Sequence, residues 1–164
     1  MVLINDANDK FKEKQAKICD CLFSLLRQIN ALENEIAARD DALASKRPEL
    51  GLALNQIVPG QLALWDEYRQ RLGDIVKPAC TEKLVGRGYG GSFGTPAKYG
   101  YLDGVCTVNF FMNSAKRAVV ETHFVQGIGQ KHKFVMRDMD GKWLIDAVYY
   151  GFESDDKWHC DHIH

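Results

Sequence analysis

The stretch FVMRDMDGKWLIDAVYYG, residues 134–151, decides how this chain folds. Runs of β-branched and aromatic residues flank the turn signal Asp140-Gly141, so the segment reads as two antiparallel strands. In the second strand a period of two sets Trp143, Ile145, Ala147 and Tyr149 on one face. Leu144, Asp146, Val148 and Tyr150 fall on the other. GVCTVNFFM, RAVVETHFV and KWHCDHI have the same character. Asp103-Gly104, Asn113-Ser114, Gly127 with Gly129, and Ser154-Asp155-Asp156 separate them. Connections this short imply an antiparallel meander. In RAVVETHFV, a core-facing set of Ala118, Val120, Thr122 and Phe124 would leave Glu121 and His123 pointing outward.

Upstream the period changes to that of a helix. Ile18, Leu22, Leu25, Ile29, Leu32 and Ile36 follow one another at alternating spacings of four and three, with Phe11 and Leu43 extending the seam. No Gly or Pro interrupts it, and Asn5 or Asp6 is positioned to cap it. A helix of this length is roughly 50 Å long. Phe23 and Leu26 widen the stripe, so the helix is expected to meet more than one neighbour. Two uses are open: a helical hairpin folding back on the next segment, or a coiled coil that forms a homodimer. Cys19 and Cys21 point about 200° apart on a helix and are not a shared ligand pair.

PELGLALNQIV is expected to add a short helix after Pro48. In GQLALWDEYRQRLGDIVKPA a further helix places Leu62, Trp65, Tyr68 (or Arg69), Leu72 and Ile75 on one face. Helices first and an antiparallel sheet second give an α+β chain, divided as a long helical arm over residues 1–47 and a helix-plus-sheet domain over residues 48–164. Between the helices and the sheet lies VGRGYGGSFGTPAKYG, which contains Gly86-x-Gly88-x-x-Gly91. A dinucleotide fingerprint follows a strand and opens a helix; here a helix precedes it and strands follow, so the segment reads as a glycine-rich loop.

Net charge of −1 gives no electrostatic footprint for nucleic acid or an anionic membrane. No apolar run approaches the roughly 20 residues of a bilayer span. MVLINDANDKFKEK lacks the basic start and apolar core of a signal peptide, and five scattered cysteines are an odd count. Reduced thiols and a cytoplasmic location are therefore expected.

Helices followed by an antiparallel sheet that ends in FVMRDMDGKWLIDAVYYG resemble the nuclear-transport-factor-2-like superfamily. The hairpin pattern of apolar strand, Asp140-Gly141, Lys142, Trp143 and alternating Leu144 to Val148 carries the likeness. It implies a cone-like curved sheet wrapped around helices. Within that superfamily, VVETHF…KHKFVMR and VYYGFESDDKWHCDHI are similar to bacterial immunity proteins. The expected function is then neutralisation of a cognate protein toxin, a type VI or polymorphic effector, by binding it. Isomerases and dehydratases of the superfamily hold Asp, His or Tyr inside the cone. The alternative is therefore a pocket enzyme with Asp146 as its proton-abstracting base; a coiled-coil adaptor is a third class.

No Ser-His-Asp motif, Walker loop or H-E-x-x-H string is present, and no cofactor is expected. For partner binding the candidate residues are Tyr150, Phe152, Glu153, Asp155, Asp156, Trp158 and His159, aromatic anchors rimmed by carboxylates that would steer a basic surface. The tail KWHCDHIH looks like a metal motif. As a strand it splits into Trp158, Cys160, His162 and His164 on one face and His159, Asp161 and Ile163 on the other, so no metal is expected.

Overall fold

A computed structural model describes the backbone of residues 2–5 and 9–164, with side chains from residue 10 onward. The elements in order are β1 (Val2–Asn5), α1 (Lys12–Ala44), α2 (Gln61–Val76), α3 (Glu82–Val85), β2 (Cys106–Ser114), β3 (Arg117–Gln126), β4 (Ile128–Met139), β5 (Lys142–Phe152) and β6 (His159–Asp161). The chain is α+β. β2 to β6 form an antiparallel meander, and β1 joins its edge in parallel with β2. The pairing of β1 was not visible in the sequence, because a parallel partner lies far away along the chain.

The expected helical hairpin is a single continuous helix. α1 runs for 33 residues without a break. It is entered through one 3-10 turn at Asp9–Phe11 with no side-chain cap; Asn5 belongs to β1, and Asp6 lies outside the described residues. The seam residues Ile18, Leu22, Leu25, Ile29, Leu32 and Ile36 are all 7% exposed or less, and they share one core with α2 and the sheet. The surface a dimerising coiled coil would use is thus filled within the chain. Cys19 is buried and Cys21 exposed, as their spacing requires. All five cysteines are free, and burial pushes the Cys19 thiol up to about 12.

The helix expected in PELGLALNQIV is absent: residues 48–58 form turns. Gly51 has a φ of 65°, which a helix does not accept, and Leu50, Leu54 and Ile57 are exposed while Val58 alone is fully buried, so the segment has no continuous helical apolar face. α2 is present, but rotated from the expected face. Leu64, Tyr68, Leu72 and Val76 are buried, whereas Leu62 is exposed. Trp65 sits at the rim, where its indole N–H donates to Asp40 Oδ1 at 3.0 Å. On the solvent side of the two helices, Glu35, Arg39, Glu67 and Arg71 form a network of exposed ion pairs of 2.7–3.1 Å that joins α1 to α2.

The inner face of the sheet follows the period of two. Ala118, Val120, Thr122 and Phe124 of β3 and His132, Phe134 and Met136 of β4 are buried. β5 departs from strict alternation. Val135 pairs with Ala147 but Met136 pairs with Ile145, so Asp146 is an extra residue in a bulge. Ile145 and Val148 consequently both reach the core, which corrects the parity read from the sequence. The bulge also frees Ile145 to pair with residues 79–81: its N–H donates to Ala79 O, and its carbonyl accepts from Thr81 N–H, both at 2.9 Å. At the β4–β5 turn Asp140 and Gly141 both take positive φ, 55° and 89°, the geometry of a type I′ hairpin. Among the described residues no helix is long and apolar enough to cross a membrane.

Candidate functional site

Side chains on the outer face of the sheet line up in rows fixed by the strand register. One row crosses Asn109, Glu121, Lys133, Tyr149 and Cys160. The next is apolar: Phe111, Val119, Val135 and Ala147. Arg117 and Arg137 are paired opposite each other beyond it. No described helix packs over these rows, and Phe111 is 45% exposed. Trp158 sits on this face too. Lys133 Nζ lies 4.2 Å and Lys131 Nζ 4.7 Å from its ring centroid, and Lys133 also approaches the Tyr149 ring at 5.1 Å. Cation–π contacts of this kind hold the lysine ammonium groups close while leaving the aromatic surface partly open. Burial pushes the Lys133 ammonium below its ordinary value.

The seven residues expected to form one partner patch are divided by the sheet. Tyr150 and His159 are register partners of the inner set, stacked at 5.2 Å, with Phe152 edge-on to Tyr150 at 6.3 Å. They stand at the end of the sheet, beyond its packed interior. Trp158 is on the opposite face among lysines. Glu153 reaches His123 Nδ1 at 2.5 Å, so its carboxylate is engaged rather than forming a free rim. Asp155 is used locally: its carbonyl accepts from Lys131 Nζ at 2.7 Å and its carboxylate from Lys157 N–H at 2.8 Å. Asp156 is exposed in the same turn. His123 points outward, as its strand parity required, with Glu121 at 3.7 Å.

Asp146 is buried, and its position follows from the bulge. Its Oδ1 accepts from the Thr81 hydroxyl at 3.0 Å, while Thr81 Oγ1 in turn caps α3 by accepting from Leu84 N–H. Lys83 Nζ stands 3.7 Å from Oδ2. The carboxylate therefore ties α3 to β5. It does not meet His123, which is on the other face. The interior of the sheet is filled by stacked and edge-on rings: Tyr101 on Phe124 at 3.7 Å, with His132 edge-on to Tyr99, Tyr101, Phe124 and Phe134. Burial, with Lys98 adding to it, lowers the His132 imidazole to about 4. It stays neutral, and its Nδ1 meets the Tyr101 hydroxyl at 3.2 Å.

Sequence reasoning missed a second polar cluster, built where α1 meets the glycine-rich loop and the tail. Glu33 lies on the buried stripe of α1. Its Oε1 accepts from Gly94 N–H at 2.8 Å and its Oε2 from Lys98 N–H at 3.0 Å, and His164 Nε2 is 2.9 Å from Oε2. One turn earlier, Asn30 Oδ1 accepts from Tyr99 N–H at 3.0 Å. Desolvation alone would raise the Glu33 carboxyl. The His164 hydrogen bond and charge, with the Lys98 and Gly94 amides, outweigh it and hold the group below its ordinary value. The opposite ring nitrogen of His164 meets the Tyr68 hydroxyl at 3.0 Å. The only sequence signal was a Glu and an Asn, three apart, inside an otherwise apolar stripe.

The tail strand is real but short. It ends at Asp161, after which Ile163 enters the core and His164 turns inward to Glu33. His164 thus leaves the face that strand parity had assigned it with Cys160. Among the described residues no group of three or more His, Cys, Asp or Glu side chains is placed to hold a metal ion. The loop, the tail and Glu33 enclose an open cleft of about 620 Å³. No family model, curated protein or solved structure matches the chain.

Proposed function

We propose that this chain is a non-catalytic inhibitor that neutralises a partner protein, a bacterial toxin, by docking through the outer face of its sheet. The observation that carries this is the apolar row Phe111, Val119, Val135 and Ala147, uncovered by any described helix and bracketed by cations. Arg117 and Arg137 flank it on one side; on the other lies Lys133, under Trp158 and in a row with Glu121, while Lys131 is buried behind it with its ammonium on Asp155 O. Five strands at about 4.8 Å spacing and nine residues at about 3.3 Å give a face of roughly 700 Å². A standard interface takes roughly 800 Å² from each partner. Trp, Tyr and Arg are the residue types that anchor such contacts. The charge around the apolar row suits a partner with an apolar ridge edged by carboxylates, rather than the basic surface expected from the sequence. Similarity of the strands and tail to immunity proteins of the nuclear-transport-factor-2-like superfamily supports the toxin as the kind of partner. Filling of the sheet interior by Tyr99, Tyr101, Phe124, His132 and Phe134 speaks against the pocket-enzyme alternative.

The test is co-expression with the product of the gene that neighbours this chain's own, scored for toxicity when that product is expressed alone. Wild-type chain is expected to co-purify with it and rescue growth. Val135→Asp with Phe111→Asp is expected to abolish both while circular dichroism stays unchanged. Undiminished rescue by that folded double variant removes the outer face as the docking site, and absence of any toxin binding by the wild type removes the function.

A further inference from the structure

We propose that the cleft between the glycine-rich loop and the C-terminal tail binds a small organic anion, a carboxylate or phosphate group carried on a planar apolar body. The hydrogen-bonding groups that line it are unequally committed. Its acceptors are satisfied. Glu33 takes the Gly94 and Lys98 amides and His164. Asp161 takes Lys98 Nζ at 2.9 Å on one oxygen and His162 N–H at 2.8 Å on the other. Lys98 Nζ is in turn engaged by Asp161 and by the His162 carbonyl at 3.0 Å.

The donors have no protein acceptor among the described residues and face the open cleft. Arg87 lines the cleft, is exposed, and makes no ion pair among the described residues. Backbone N–H groups at Gly91, Ser92 and Phe93, also in the lining, donate to no described protein acceptor, although Gly94, the next residue, is pinned by Glu33. A guanidinium and a run of amides lining one cleft, none of them with a protein acceptor, can accept an anion, since both supply donors and positive potential. The loop is also fixed from behind rather than left to wander. Glu33 and Asn30 hold it at Gly94, Lys98 and Tyr99, and the Tyr68 hydroxyl donates to Ser92 O at 3.1 Å. Tyr89 and Phe93 add the apolar walls. At about 620 Å³ the cleft is in the size range of small-molecule sites, roughly 300–1,000 Å³. Gly88 has a φ of 101°, so the turn into this loop needs glycine for its backbone conformation.

Isothermal titration calorimetry of the full chain with phenyl phosphate, benzoate, inorganic phosphate and neutral benzyl alcohol tests this. One of the two aromatic anions is expected to bind, and which one does identifies the head group. Benzyl alcohol is expected not to bind. Arg87→Ala is expected to weaken the aromatic anion about 10-fold to 100-fold, the loss of a charge-assisted contact. Lys116→Ala, a cation at the far β2–β3 turn, is expected to leave it unchanged. Amide shifts at Gly91 and Ser92 on titration give a second readout that survives any change in stability. No binding by either aromatic anion, or equal binding by wild type and Arg87→Ala, overturns the site. Inorganic phosphate binding as tightly as phenyl phosphate overturns Tyr89 and Phe93 as ligand walls.

Discussion

Replacing Glu33 with alanine removes the acceptor that holds the glycine-rich loop against α1. Two backbone donors, Gly94 N–H and Lys98 N–H, lose a carboxylate at 2.8 Å and 3.0 Å, and the buried His164 loses its partner at 2.9 Å. A hydrogen bond to a charged group contributes about 1.5–3 kcal/mol. Breaking a buried pair by removing one partner costs about 3–5 kcal/mol. Because the loop can open towards water, the lower half applies, and Glu33→Ala is expected to cost about 3–4 kcal/mol. Urea denaturation at neutral pH measures it, and hydrogen exchange locates it: protection at Gly94 and Lys98 is lost while that of β3 and β4 falls only with global stability. Glu33→Gln, which keeps one acceptor oxygen, is expected to fall between. The pH dependence has a definite sign. Glu33 is held below its ordinary 4.5, so its contribution is complete above that pH and is lost as pH falls through the lowered value. The gap between wild type and variant should therefore close on acidification. A cost under about 1 kcal/mol with unchanged protection at both amides would refute the reasoning, because it would mean the loop is held by something else.

His132 makes its own prediction in a different window. A buried imidazole lowered from 6.5 to about 4 is neutral in the fold and protonated when unfolded between those values. Stability is thus full above 6.5 and falls as pH drops towards 4, by about 3 kcal/mol, a slope that His132→Phe should flatten in equilibrium unfolding. Gly151→Ala would place a methyl 2.6 Å from Lys157 O and 2.8 Å from Lys131 Cε, so a loss of about 1–3 kcal/mol and a changed Trp158 fluorescence are expected. Asp146→Ala leaves the buried Thr81 hydroxyl without its acceptor and is expected to cost about 1–3 kcal/mol by denaturant titration. Glu67→Gln breaks the exposed pairs to Arg39 and Arg71, and its small effect on the melting temperature is expected to vanish as salt is raised.

The α+β class, the extent of α1, the meander and the Asp140-Gly141 hairpin were legible in the sequence because each is a local matter. Periodicity over a few residues reports which side of an element meets the core, and turn dipeptides report where the chain reverses. The same locality let His123 and Glu121 be placed on the outer face. What the sequence left open depends on partners distant along the chain. The seam from Ile18 to Ile36 is equally suited to a second copy or to the chain's own sheet, and only the packing of α1 into one core with β2–β5 decides between them. The bulge at Asp146 shifts parity by one residue, which no alternation can reveal, since it arises from the pairing of Val135 with Ala147 and Met136 with Ile145. The two polar clusters had no motif at all. Glu33 and His164 are at opposite ends of the sequence, and the loop that Glu33 holds is a third segment, so their meeting is a product of closure. A sequence specifies the faces of its elements; which faces meet is set by the free energy of the assembled core.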